Sequence, residues 1–125
     1  MSKIVIVSYN NLGLDFWKNH LSLGSLDELL HFHSGNACIQ ANPAQTDIVI
    51  VDDYFGKPKP GDLGSAEAIR LIANMHPQAK CFHVSPEYCS VDPAGRPMNY
   101  RCSNFNGDVI SEINSILIPT PLAAS

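Results

Sequence analysis

Two runs constrain this chain more than anything else in it: Ile4-Val5-Ile6-Val7 after Lys3, and Ile48-Val49-Ile50-Val51 after Asp47. A strand with one face in water alternates apolar and polar side chains, whereas a strand apolar at consecutive positions must be covered on both faces. Such strands belong to parallel sheets flanked by helices. Leu29 to His33 (LLHFH) and Lys80 to Val84 (KCFHV) have strand length and composition too, and Met98 to Cys102 (MNYRC) is more polar and reads as an edge strand.

Helical segments fall between the strands. Leu12 to Leu23 carries Leu12, Phe16, Trp17 and Leu21 and stops at Gly24; Asn36 to Ala41 is short and ends before Asn42-Pro43. Ser65 to Met75 places Ala68, Ile69, Ile72 and Met75 on one face and ends before Pro77. The last helix runs from Asn106 as N-cap through Ile118, with Val109, Ile110, Ile113, Ile116 and Leu117 as its stripe, and stops at Pro119. Strand and helix alternating end to end predict an α/β chain of three layers, a doubly wound five-stranded parallel sheet between helices. Residues 1–118 form one domain and 119–125 a disordered tail on this reading. A length of 125 residues suits a single core.

Several function classes are disfavoured. The net charge is −4 and the eight Lys and Arg are dispersed, so no basic stripe exists to neutralise nucleic-acid phosphates. No apolar stretch approaches the ~20 residues needed to cross a bilayer. The start MSKIVIV lacks the pattern of a signal peptide, and Cys38, Cys81, Cys89 and Cys102 show no C-x-x-C spacing, which predicts a cytoplasmic chain with reduced thiols. His31 and His33 alternate and share one face of a strand, read as a solvated face.

In doubly wound sheets, ligands and chemistry gather at the carboxyl ends of the strands. Those ends carry Ser8 and Tyr9, Asp52 and Asp53, Ser85, and Ser103. The order of elements and the stretch Thr46-Asp47-Ile48-Val49-Ile50-Val51-Asp52 resemble the receiver domain of bacterial response regulators, of the chemotaxis-regulator type. The resemblance covers most of the chain and implies a flavodoxin-like topology. It makes Asp52 the candidate phosphoacceptor and Ser85, in His83-Val84-Ser85-Pro86, the candidate switch residue. His33-Ser34-Gly35 resembles the end of the family's second strand, and Pro58, Pro60 and Asp62-Leu63-Gly64 an enlarged form of the loop after the acceptor.

The departures concern charge. Receivers hold Mg²⁺ with an acidic pair after the first strand, where this chain has Ser8 and Tyr9, followed by Asn10 and Asn11. The family's lysine after the fifth strand should stand in Ser103-Asn104-Phe105, and no Lys or Arg follows Arg101. Pro86, Pro93, Gly95 and Pro97 oppose helix between Ser85 and Ser103, so the fourth helix is expected to be shortened or lost. Asp53 should point to the opposite face from Asp52 unless the strand has already ended.

These features lead to the expectation of a pseudo-receiver, a signal-transduction domain of the two-component type that acts by protein–protein contact and is not an enzyme. Its partner would be a histidine kinase or another signalling protein, or a second copy of the chain. It would need no cofactor, Mg²⁺ entering only if the domain is a conventional receiver phosphorylated on Asp52. A flavodoxin-like small-ligand domain, with Ser8 to Gly13 as its loop, is the other alternative.

Overall fold

The fold was obtained as a computed structural model, which describes residues 2–85, 100–104 and 107–117, the side chains of 100–104, 107 and 108 excepted. Five strands, β1 (Lys3–Ser8), β2 (Glu28–Phe32), β3 (Ile48–Asp52), β4 (Lys80–Ser85) and β5 (Tyr100–Asn104), form one sheet in the order β2-β1-β3-β4-β5. Every pairing is parallel. The helices are α1 (Asn11–His20), α2 (Gly35–Ala41), α3 (Ser65–Met75) and α4 (Gly107–Leu117). The chain is thus the doubly wound α/β sandwich that the apolar runs predict.

The two apolar runs occupy the sheet interior and are buried on both faces, as consecutive β-branched residues require. Alternation sends Ile4, Ile6, Ile48, Ile50, Phe82 and Val84 toward α1 and α4, where they pack with Trp17, Leu21, Val109, Ile113 and Leu117. Val5, Val7, Val49, Val51 and Cys81 point the other way, onto Cys38 of α2 and Ala68, Ile69 and Ile72 of α3. The sheet therefore separates two cores.

Several boundaries differ from the sequence reading. The first helix ends at His20 rather than Leu23, because Leu21 turns extended while its N–H still bonds the Trp17 carbonyl. Gly24, read as the helix stop, instead opens a turn in which its N–H donates to Asp27 Oδ2 at 2.7 Å. Leu12, counted with the apolar residues of that helix, is 65% exposed in its first turn. The second strand begins at Glu28 and leaves out His33; the fifth is described over Tyr100–Asn104, and Met98 and Asn99 of its expected span lie outside the described residues. The stretch expected to lack a full fourth helix, the N-cap Asn106 and the tail from 119 lie outside the described residues.

Helix entry follows local chemistry. Asn10 caps α1, its Oδ1 accepting from the Leu12 and Gly13 N–H groups at 2.9 and 3.4 Å. Ser34 caps α2 through the Ala37 N–H at 3.0 Å, and α2 ends at Asn42 in the left-handed region, φ 42°. Among the described residues no helix is long and apolar enough to cross a membrane.

Candidate functional site

The carboxyl ends of β1, β3 and β4 lie side by side: Ser8 is in register with Asp52, and Asp52 with Val84. The period of the strand divides the residues here into two pockets on opposite faces of the sheet. Ser8 and Asp52 face α1. Tyr9, Asp53, His83 and Ser85 face α3. Asp52 and Asp53, adjacent in sequence, thus do not form a joint acidic site, in keeping with alternation; the Asp53 N–H still bonds the Val84 carbonyl at 3.1 Å.

On the α1 side Asp52 is fully buried, 0% exposed. Both of its oxygens are engaged: Trp17 Nε1 donates to Oδ2 at 2.7 Å and the Tyr54 backbone N–H to Oδ1 at 2.7 Å. Burial pushes the Asp52 carboxyl above its ordinary range, and the Asp53 charge adds to this. The two N–H donors and His83 oppose the shift without cancelling it. Helix α1 lies directly on this carboxylate because residue 13 is glycine: a Cβ there would stand 1.8 Å from Ser8 Oγ and 3.5 Å from Asp52 Oδ2. Ser8 is also fully buried.

On the α3 side Asp53 keeps 20% of its side chain exposed and lies 3.5 Å from His83 Nε2, an ion pair whenever that ring is protonated. Burial alone would raise the Asp53 carboxyl, yet the imidazole and the nearby Ser85 and Ser65 hydroxyls more than offset it and hold the group below its ordinary range. Tyr9 reaches over to share a hydrogen bond with Ser65 Oγ at 3.0 Å. Its phenol is pushed up by burial, the Ser65 bond opposing and the Asp53, Asp52 and Asp62 charges adding. Asp53, His83, Ser85, Ser65 and Tyr9 make a compact polar cluster, with Asp53 as the carboxylate that solvent reaches.

These residues do not fit Mg²⁺. Its hard-oxygen shell needs converging carboxylates. Here the first strand ends in neutral Ser8 and Tyr9, both Asp52 oxygens already accept N–H donors, and Asp53 is on the far face. Among the described residues no group of three His, Cys, Asp or Glu could hold a metal ion.

Of the residues singled out from sequence, Ser8 and Asp52 come together in one pocket and Tyr9, Asp53 and Ser85 in the other. Ser103 lies in β5 in register with Val84, its side chain outside the described residues. Three participants are absent from the sequence reading of the site: Trp17, counted there only among the apolar residues of the first helix, and His83 and Ser65. A signal for Trp17 existed, since a Trp on the inward face of a helix needs a buried acceptor for its N–H, and Asp52 is the acid on the facing strand.

No protein-family model and no curated protein matches the sequence. Among solved structures, the chain is similar to a CheY-like response regulator receiver domain from Methanospirillum hungatei, with TM-score 0.66 and 18% identity over 94% of each chain. It is similar to a Burkholderia thailandensis protein described as a pilus assembly protein, with TM-score 0.65 and 14% identity over 94% of this chain and 98% of the other. A third is from the complex of the histidine kinase ThkA with the response regulator TrrA, with TM-score 0.63 and 20% identity over 94% and 99%. At such identities the likeness is one of architecture, and by strand order, helix placement and coverage this chain has the fold of the response-regulator receiver domain.

Proposed function

We propose that this chain is a pseudo-receiver: a signalling module on the receiver fold that works by protein–protein contact, without phosphoryl transfer to Asp52. The observation that carries this reading is the sealing of Asp52 by the Trp17 indole. A carboxylate acting as phosphoacceptor must present an oxygen to the phosphorus in line with the leaving group, with a cation at hand for the developing charge. Asp52 has no solvent-exposed surface, both oxygens accept hydrogen bonds, and Ser8 and Tyr9 stand where an acidic pair would hold Mg²⁺. The missing lysine after β5 points the same way, because no Lys or Arg follows Arg101.

In this reading the domain is not an enzyme and binds no resident cofactor. It is cytoplasmic and its partner is a signalling protein; the complex between a histidine kinase and a neighbour of this fold supports a partner of that kind. Incubation with acetyl phosphate and Mg²⁺, followed by intact-mass measurement, tests it. The expected result is an unchanged mass. A Mg²⁺-dependent phosphoryl adduct that disappears in Asp52→Asn would make the domain a conventional receiver.

A further inference from the structure

Away from the two pockets, a pair of imidazoles stands on the open edge of the sheet. Strand β2 has a neighbour on one side only; His31 lies in it and His33 directly follows it. Their ring centroids are 4.4 Å apart with planes at 53°. Each ring is held through Nε2, His31 against the Ser8 carbonyl oxygen at 2.9 Å and His33 against Asn11 Oδ1 at 3.0 Å. Both oxygens can only accept, so Nε2 carries the hydrogen in each ring and the bare lone pair of the neutral imidazole is on Nδ1. Among the described residues neither Nδ1 has a hydrogen-bond partner.

We propose that His31 and His33 form a two-imidazole site for a borderline divalent transition metal ion, Zn²⁺, Ni²⁺ or Cu²⁺, bound through the two Nδ1 atoms. Ring spacing supports it. A metal–nitrogen bond of about 2.0–2.1 Å puts each ring centre about 3.2 Å from the ion, and an N–metal–N angle of about 90° then separates the centres by about 4.5 Å. The Ser8 carbonyl and Asn11 amide do what outer-shell partners of metal-bound histidines do, fixing tautomer and ring orientation.

Nitrogen ligands select these ions over Mg²⁺, which prefers oxygen. With two protein ligands the other coordination positions belong to water, and the site is open. An ion here would tie the end of β2 to the start of α1 through Asn11.

The full chain carries other histidines and cysteines, so the test must read individual rings. Long-range ¹H–¹⁵N spectra of the ¹⁵N-labelled protein, titrated with ZnCl₂ at neutral pH, should move the Nδ1 resonances of His31 and His33 together, with MgCl₂ leaving them in place. His33→Ala, at an exposed position after the strand, should weaken the response at His31 by more than about tenfold, and Asn11→Ala by about tenfold or less. His31→Ala should do the same to His33. Zinc shifts confined to other histidines, or a His31 response undiminished in a folded His33→Ala protein, would overturn the proposal.

Discussion

A carboxylate without solvent is costly until donors meet it, and Asp52 has been met by two, one from an indole 35 residues away in sequence. Trp17→Phe keeps the ring's bulk and removes only the donor, so it should destabilise the fold by about 1.5–3 kcal/mol in chemical denaturation followed by circular dichroism. The double variant with Asp52→Asn should recover part of that loss, since no buried charge is then left unmet. The two acids at this end of the sheet should also respond to pH in opposite senses. Burial lifts the Asp52 pKa above 3.8, so its contribution to stability is present below that value and is lost as pH rises through the folded pKa. Asp53, depressed below 3.8, contributes above that value and loses its contribution as pH falls through its folded pKa. Urea midpoints measured between about pH 3 and 7 should therefore show Asp52→Asn gaining on the parent as pH rises and Asp53→Asn gaining on it as pH falls.

Among the elements, two contacts decide how close the helices can come. Gly13 lets α1 rest on Ser8, and a methyl 1.8 Å from Ser8 Oγ cannot be accommodated without moving the helix. Gly13→Ala, favourable for an isolated helix, should cost about 1–3 kcal/mol here, read as a lower thermal midpoint, and should unseat Trp17, read as a change in the fluorescence of the chain's one tryptophan. Asn114 of α4 fastens the other end of α1: its Oδ1 accepts from the Ser22 N–H at 2.8 Å and its Nδ2 donates to the His20 carbonyl at 3.0 Å. Asn114→Ala should remove about 1–2 kcal/mol and raise amide exchange at Leu21 to Leu23 before that of β1. The helix Ser65–Met75 was legible to the residue because Ala68, Ile69 and Ile72 fix its buried face locally. The end of α1 was not, because the segment after His20 is held by Asp27 and Asn114, the latter a contact that no window of sequence contains.

Across the whole molecule the sheet keeps two cores apart, and reactivity follows that division. Cys38 of α2 and Cys81 of β4 lie in the same core, and burial pushes their thiols up to about 11 and about 12. Iodoacetamide at neutral pH should leave both unmodified in the native protein, and peptide mapping should find them labelled only at denaturant concentrations that unfold the chain. Layering and parallel pairing were readable from the runs at Ile4 to Val7 and Ile48 to Val51, since consecutive β-branched residues have few ways to be buried on both faces, and the strand number from these together with the runs at Leu29 to His33, Lys80 to Val84 and Met98 to Cys102. Alternation, also a local property, placed Asp52 and Asp53 on opposite faces. Local pattern was therefore enough to dictate the sheet, its two-sided burial and the absence of acids after the first strand. The closing-off of Asp52 was not local in this sense: it depends on Gly13 allowing α1 to approach and on Trp17 meeting the strand end, distances between elements that are set by packing.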